Sequence, residues 1–466
     1  MKVHVVESSL KTKAVSTRIP FKFGVYVLRT VPIAELTLTV EAEDGSTEIG
    51  RSSDLLIPKW FDKSPDTSPE EDSAALARSA EQAAAKYIEA GSQSAFDLWK
   101  DVYDEQVGAR DHRDADVLVR GFGVALAERA LIDATCRLAG LSFYQALCSG
   151  ALGFEAERVI PETRGWSPER LAQPLMSIAV RHTVGMLDPL TISEIPPDER
   201  IDDGLPQALE QDIETYGLRW FKVKVTGDPM IDRERLRNVA RVVFATTDRD
   251  VKFTLDGNEG CTDLEAFAGT LEDLAKDETC GRLIKNTVLI EQPLPRRDTF
   301  DAAANRSLER LSRIAPVIID EADTDALAFQ RAIEIGYKGV SVKACKGVFR
   351  AVANRALIDT RGDGKLFQSG EDLTNLGSVP LQQDLALQAT LGIQNVERNG
   401  HHYFRGLDHL DDAVCAKLVE SLPGLYTERD RLTQLWIEHG SLDLAGIADG
   451  LGLGGELGPL FMEKPN

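Results

Sequence analysis

The sequence is poor in cysteine and in positive charge, and each shortage excludes a class of protein. Its six cysteines, at positions 136, 148, 261, 280, 345 and 415, form no Cys-x-x-Cys pair among the 466 residues. This spacing fits neither a disulfide framework nor a zinc ribbon, so we expect a reducing, cytoplasmic environment. The 53 Lys and Arg residues oppose 75 Asp and Glu residues, giving a formal net charge of −22. Nucleic acid and anionic membranes are therefore not expected as partners.

Long apolar runs are also missing. No window approaches the 18 or more apolar residues of a membrane-spanning helix. Residues 1–17 alternate polar and apolar types without the apolar core of a secretion signal, so we expect neither a leader nor a membrane segment. The length allows two or three domains, one of which could be a barrel of about 250 residues.

The first 150 residues have the pattern of a sheet followed by helices. Residues 33–40 alternate in polarity, and Glu43-Asp44-Gly45 is a hairpin turn signal. Residues 58–72 are rich in Pro, Ser and acid and predict a surface loop. A helical apolar stripe follows, and Gly140 is placed to end it. We predict an N-terminal α+β capping domain over residues 1–157.

After residue 158 the pattern changes to short apolar runs, each ending in a charged residue and followed by an amphipathic helix. The charged ends are spaced by 32, 35, 29 and 23 residues, about one strand-helix unit each, and they are Lys224, Asp256, Glu291, Asp320 and Lys343. Repeated βα units build a parallel sheet, and five or more in series favour a closed barrel. We predict an α/β fold with a modified TIM barrel over residues 158–410.

The alternation of strand side chains places these five charged ends on one face. Lys222 and Lys224 share a parity, and the apolar parity of each strand faces the helices. The charged side chains then point into the barrel at its C-terminal mouth, where barrel enzymes build their sites. Three carboxylates are expected to converge between two lysines.

Converging carboxylates repel one another unless a cation holds them. An all-oxygen set, Asp256, Glu291 and Asp320, favours a hard ion, Mg²⁺ first and Mn²⁺ second. Such an ion can hold a substrate carboxylate and stabilise the enediolate that forms when an α-proton leaves. Lys224 and Lys343 would be the acid and base, with pKa values lowered by burial and by the metal. Taken singly, each of these residues could be purely structural, either one of a solvated Lys pair or a helix N-cap. A purely structural explanation of all five would require a charged residue to fall by chance on the inward parity at five strand ends.

These motifs resemble the enolase superfamily, and within it the muconate-lactonising-enzyme branch. The segments similar to the family pattern are Phe221-Lys-Val-Lys224, Leu255-Asp-Gly-Asn258, Ile290-Glu-Gln-Pro293, Ile319-Asp-Glu-Ala322 and Ser341-Val-Lys-Ala-Cys-Lys-Gly347. The resemblance implies a (β/α)7β-like barrel and a cap whose two loops, near residues 20–30 and 50–70, close over the substrate. It also implies that residues 411–466 return to the cap.

Some residues depart from the patterns of related branches. Leu366–Glu371 has no histidine of the mandelate-racemase type, and Asn395–His402 lacks the Asp-x-Asp of many dipeptide epimerases. Glu371 is expected either to contact substrate or to cap the next helix. Lys222, Asn258 and Glu321 are expected at the substrate or behind the metal ligands.

His401 and His402 follow a glycine in an apparent loop, so the sequence favours solvated side chains over substrate contacts. The resemblance implies a metal-dependent isomerase, a racemase, epimerase or cycloisomerase, acting on a small carboxylate and assembled as a homo-oligomer. An acid-sugar-type dehydratase is the alternative of the same superfamily. A Schiff-base aldolase using Lys343 or Lys224 and a non-catalytic carboxylate-binding protein are alternatives of other classes.

Overall fold

The computed structural model describes residues 1–23, 26–108 and 116–461. Its N-terminal part is a three-stranded antiparallel sheet of β1 (Val3–Phe23), β2 (Tyr26–Ala42) and β3 (Thr47–Leu55). Four helices follow this sheet, α1 (Pro69–Glu89), α2 (Ala95–Tyr103), α3 (Val117–Ala139) and α4 (Phe143–Cys148). Ser68 caps α1 with a reciprocal capping box, and Gly140 ends α3 with a φ of 68°.

Eight parallel strands then close into a barrel. In chain order they are β4 (Ser177–Val184), β5 (Trp220–Lys224), β6 (Lys252–Asp256), β7 (Thr287–Glu291), β8 (Val317–Ile319), β9 (Gly339–Val342), β10 (Phe367–Gly370) and β11 (Asn395–Arg398). Each strand pairs with the next, and β11 pairs with β4 to close the ring. The predicted barrel with an N-terminal antiparallel domain is therefore confirmed.

Helices cover the outside of the barrel, as expected for right-handed βα units. They are α5 (Leu209–Tyr216), α6 (Pro229–Thr246), α7 (Leu264–Leu274), α8 (Cys280–Lys285), α9 (Leu308–Ser312), α10 (Ala328–Ile335), α11 (Val348–Arg361) and α12 (Val379–Thr390). Only the four-residue α13 (Gly400–Tyr403) directly follows the last barrel strand. No helix within the described ranges combines the length and the apolar character that a membrane crossing requires.

The C-terminal segment contacts the N-terminal sheet and helices. It contains α14 (Asp412–Ser421), β12 (Tyr426–Arg429), β13 (Leu432–Leu435), β14 (Ser441–Asp443) and α15 (Ala445–Ala448). The backbone N–H of Leu460 donates to Glu35 at 2.6 Å, and that of Leu453 donates to Asp133 at 3.0 Å. These contacts attach the end of the described chain to β2 and α3. The domain boundaries themselves stay predictions.

Candidate active site

The structure brings the charged strand ends together inside the barrel mouth. Asp256 and Glu291 are the last residues of β6 and β7, while Asp320 and Lys343 directly follow β8 and β9. Their side chains are buried because the other parity of each strand packs against the helices. The strand-parity argument therefore places these side chains where the structure has them.

Lys222 lies at the centre of this cluster. Its Nζ is 3.0 Å from Asp256 Oδ2, 2.7 Å from Glu291 Oε2, and 2.8 Å from one oxygen each of Glu371 and Glu397. Burial lowers the pKa of Lys222, but the four carboxylates outweigh burial and raise it well above its ordinary value. The surrounding carboxylates thus hold Lys222 in its charged form.

Lys224 and Lys343 each pair with one carboxylate. Lys224 Nζ donates to Asp256 Oδ2 at 2.6 Å, and Lys343 Nζ donates to Asp320 Oδ2 at 2.7 Å. The two lysines belong to the second and sixth barrel strands and therefore stand on opposing walls. Without a metal, burial acts downward on the pKa of Lys343, but the adjacent Asp320 carboxylate raises this pKa overall. The expected lowering of both lysine pKa values by burial together with a bound metal stays a prediction.

The cap contributes an aromatic wall to the Lys343 side of the site. The Trp60 ring centroid lies 4.4 Å from Lys343 Nζ, within cation–π distance. Trp60 and Phe61 come from the segment that the sequence predicts to be a surface loop, yet both are buried. Phe61 packs edge-on against Phe122 of α3, so this part of the segment belongs to the cap core.

The carboxylates have the chemistry of a divalent-cation site. Both carboxylate oxygens of Glu291 are buried without a hydrogen bond, although Lys222 is close. Burial, followed by Asp256 and Glu371, raises the pKa of Glu291 well above its ordinary value. An oxygen-only set with such an under-satisfied member fits Mg²⁺. Among the described residues, however, the one group of three ligand atoms within 4.8 Å of one another lies elsewhere, so Asp256, Glu291 and Asp320 must draw together to bind an ion.

One acidic residue directly after β10 and one within β11 complete the interior. Glu371 accepts hydrogen bonds from Lys222 at 2.8 Å and Ser369 at 2.6 Å, and it pairs with Arg181. It does not cap a helix, since the next helix begins at Val379. Glu397 accepts from Lys222 at 2.8 Å and Thr183 at 2.6 Å.

Sequence reasoning missed Arg181 and Glu397 as members of the site. Strand β11 contains one apolar residue, Val396, and so carries no strand signal of its own. The signal that could have found Glu397 is its position about one repeat after Glu371.

Asp320 is held by a further group that sequence reasoning did not assign. Lys346 Nζ lies 3.3 Å from Asp320 Oδ1 and 3.1 Å from Asp323, and it donates to Ser341 at 2.6 Å. Ser341 in turn donates to Asp320. Lys343, Lys346 and Lys222 keep the Asp320 pKa well below its ordinary value although burial acts upward. Asp320 is therefore ionised and held in one orientation in this structure.

Glu321 and Asn258 lie next to the three carboxylates. Asn258 Nδ2 donates to Glu321 Oε1 at 3.3 Å, and the Asn258 N–H donates to Asp256 Oδ1 at 2.8 Å. Burial and the neighbouring Asp320 raise the pKa of Glu321 to about 7. These contacts suit the expected position of both residues behind the candidate metal ligands, and that role stays a prediction.

A cavity of about 670 Å³ opens beside Lys224, between the cap and the barrel loops. Its walls include Lys22, Phe61 and Lys63 from the cap, and Asn258 and Arg296 from the barrel. Both predicted cap regions therefore border the cavity. Its size is that of a small-molecule site.

Arg296 attaches the cap to the barrel at this cavity. Its guanidinium donates to the carbonyl oxygens of Trp60 at 2.9 Å and Phe61 at 2.8 Å. The same group forms a two-point ion pair with Glu259, at 2.9 and 2.8 Å, and Glu259 also pairs with Lys63. This arrangement holds the cap segment closed over the barrel mouth.

The expectation that His401 and His402 are solvated is wrong. His402 is buried, with Nδ1 3.1 Å from Asp212, and His401 contacts His182 at 3.1 Å. Both lie on α13, outside the barrel interior, and take no part in the site described here.

No protein-family model and no curated protein matches the chain. Solved structures match along nearly its whole length. An enolase from Bradyrhizobium complexed with magnesium and mandelic acid is 17% identical, with 98% of this chain and 96% of that chain covered and a TM-score of 0.60. A dipeptide epimerase from Enterococcus faecalis complexed with Mg and L-Leu-L-Tyr is 16% identical, with 97% and 99% covered and a TM-score of 0.60.

A 2-chloromuconate cycloisomerase from Rhodococcus opacus is similar to the same degree. It is 17% identical, with 97% of each chain covered and a TM-score of 0.61. Likeness at this level of identity shows the fold. The chain therefore has the fold of enolase-superfamily enzymes of the mandelate racemase and muconate lactonizing type, as its strand-end motifs predict.

Proposed function

We propose that the protein is a Mg²⁺-dependent enzyme that removes the α-proton of a small carboxylate substrate. The observation that carries this proposal is the pair of lysines on opposing barrel walls with three acidic strand ends between them. The similar structures include complexes with mandelic acid and with a dipeptide, and both ligands carry a carboxylate with an α-hydrogen.

The surroundings of each residue indicate its role in this reaction. Lys224 and Lys343 would face a substrate carbon from opposing barrel walls, and they would remove and return its proton. Lys222 supplies a fixed positive charge among the carboxylates. A Mg²⁺ ion bound by Asp256, Glu291 and Asp320 would supply the charge that stabilises the developing enediolate. The cap segment at Trp60 would exclude water from Lys343.

The opposed lysines favour racemisation or epimerisation, because proton return from the wall opposite the base inverts the carbon. Cycloisomerisation and an elimination of the dehydratase type would each need only one lysine for proton transfer, with the other serving as a cation beside the enediolate. An aldolase with a Schiff base has no use for three clustered acids, and borohydride trapping of a Lys343 or Lys224 adduct would identify it.

The test is exchange of substrate α-hydrogen with deuterated water. The protein with Mg²⁺ is incubated with acyl-amino acids, dipeptides, betaines and aldonic acids, and loss of each α-proton signal is followed by NMR. We expect at least one compound to exchange with the wild type and with the exposed control Lys365→Ala, but not with a Lys224→Ala, Lys343→Ala double variant. Exchange that persists in the double variant would exclude the lysines as the bases.

We also propose a cytoplasmic homo-oligomer, as the sequence suggests. Light scattering coupled to gel filtration measures the assembly state directly, and a monomeric mass would contradict it.

A further inference from the structure

A second group of candidate ligands lies on the outer side of the barrel. In β4, Arg181 and Thr183 contact Glu371 and Glu397 inside the barrel, so His182 between them faces the helices. There it meets Asp212 of α5 and His401 of α13. None of these residues has a role in the proposed reaction.

The ligand atoms of this group lie close together. His182 Nδ1 is 3.1 Å from His401 Nε2, and His182 Nε2 is 3.7 Å from Asp212 Oδ2. One ligand atom from each of the three residues falls within 4.8 Å of the other two, and no other three His, Cys, Asp or Glu residues in the described chain do so. A tetrahedral zinc ion with Zn–N bonds of about 2.0–2.1 Å holds its ligands about 3.3 Å apart. Because His182 turns a different ring nitrogen toward each partner, the His182 ring or the Asp212 carboxylate would rotate so that one His182 nitrogen serves the ion.

Several polar atoms of the group have no hydrogen bond. These buried atoms are His401 Nδ1, His402 Nε2 and Asp212 Oδ2. Buried polar atoms are normally paired. A hydrogen bond between His182 and His401 pairs those two ring nitrogens but leaves the three atoms named above without a partner. His402 Nδ1 lies 3.1 Å from Asp212 Oδ2, the position of a group that orients a ligating carboxylate.

We propose that His182, Asp212 and His401 bind one transition-metal dication of the zinc class. His402 orients Asp212, and water takes the fourth position. Two imidazoles and one carboxylate suit zinc, whereas the oxygen-only set inside the barrel suits Mg²⁺. The two sites therefore select different ions.

The bound ion would be structural, because it joins elements distant in sequence. It links β4, α5 and α13, and α13 in turn contacts the cap. Tyr403 stacks on Phe21 of β1 with ring centroids 4.1 Å apart, and Arg18 donates to the His402 carbonyl oxygen at 3.3 Å. Zinc would thus fix the cap hairpin to the barrel.

The wild-type protein alone can decide the proposal. Untagged protein is stripped with a chelator, supplied with excess Mg²⁺ to occupy the barrel site, and titrated with Co²⁺. We expect one Co²⁺ per chain with the strong visible absorption of a tetrahedral site, displaced by one equivalent of Zn²⁺. The absence of this absorption would overturn the proposal.

Variants locate the ion. His182→Ala and His401→Ala should lose the absorption, while the exposed control His439→Ala and the barrel variant Glu291→Gln should keep it. Zn²⁺ should raise the melting temperature of wild type and His439→Ala with increasing concentration, but not that of His401→Ala. Absorption that survives in both His182→Ala and His401→Ala, or that is lost in Glu291→Gln, would refute the assignment. If the histidine variants fail to fold by circular dichroism, the wild-type titration still decides.

Discussion

At the scale of single residues, the number of carboxylates around a lysine separates its roles. Lys222 touches four of them, whereas Lys224 and Lys343 each donate a hydrogen bond to one. Removing one member of a buried charge cluster leaves its partners uncompensated, which typically costs about 3–5 kcal/mol. We therefore assign charge compensation to Lys222 and, under the proposed function, proton transfer to Lys224 and Lys343.

Lys222→Ala should therefore destabilise the protein more than Lys224→Ala or Lys343→Ala. We expect a loss of about 3–5 kcal/mol for Lys222→Ala in urea unfolding without metal, and smaller losses for the other two. Equal losses in all three variants would show that the four-carboxylate contact has no special weight.

Each of the two opposed lysines should remove the α-proton from a different stereoisomer of the substrate. If the reaction is racemisation or epimerisation, Lys224→Ala should slow α-proton exchange from one stereoisomer by about 10²–10⁴-fold, and Lys343→Ala should slow it from the other. Exchange is followed by NMR in deuterated water, and Mg²⁺ affinity, measured by calorimetry, should persist in both variants. Loss of exchange from the same stereoisomer in both variants would contradict the opposed arrangement.

At the scale of elements, the Arg296 contacts decide whether the cap segment stays closed. Arg296→Ala removes two charged hydrogen bonds to backbone carbonyls, each worth about 1.5–3 kcal/mol. Amide hydrogen exchange in residues 59–64 should then accelerate by about tenfold or more. The neighbouring, solvent-exposed Arg297 provides the matched control, and Arg297→Ala should leave this exchange unchanged.

Helix α3 of the cap meets the start of α11 through a buried carboxyl group with a displaced pKa. Glu128 accepts hydrogen bonds from the N–H groups of Val348 at 3.1 Å and Phe349 at 2.6 Å. Burial raises its pKa to about 7, although these bonds and the nearby Arg129 and Arg350 act downward. Between the unfolded value of about 4.3 and this value, the folded state binds more protons than the unfolded state.

The contribution of Glu128 to stability is therefore full below about pH 4.3 and is lost as the pH rises to about 7. Urea unfolding at pH 5 and pH 7 should show a smaller loss of stability in Glu128→Gln than in wild type. The exposed control Glu214→Gln should behave like wild type. If the change in unfolding free energy between pH 5 and pH 7 is the same in Glu128→Gln as in wild type, groups other than Glu128 determine the pH dependence in this range.

At the scale of the whole molecule, Mg²⁺ should stabilise the fold by relieving repulsion among the carboxylates. We expect the melting temperature of wild type to rise with Mg²⁺ concentration. Glu291→Gln should abolish this rise. It should also leave the metal-free melting temperature unchanged or higher, because it replaces a buried carboxylate that accepts no hydrogen bond. A Mg²⁺-dependent rise that persists in Glu291→Gln would place the ion elsewhere.

The sequence by itself determined the barrel strands that carry charged ends and the face on which those ends lie. An apolar run with period-two alternation identifies a strand and shows which side chains share a face. Lys222, Lys224 and Asp256 could therefore be assigned to the polar face of their strands from the sequence alone. The same local rules placed the hairpin near Gly45 and the end of α3 at Gly140.

Only the tertiary structure decided which distant residues meet. Thr183 and Glu397 are 214 positions apart, and His182 and His401 are 219 apart, so these contacts exist only because β11 pairs with β4 when the barrel closes. Strand β11 has a weak local pattern, and a polar residue there has no sequence neighbour that reveals its partner. The Lys343 pKa follows the same rule, since its direction depends on a carboxylate supplied by another strand. Local periodicity sets the orientation of a side chain, but closure of the ring sets its surroundings.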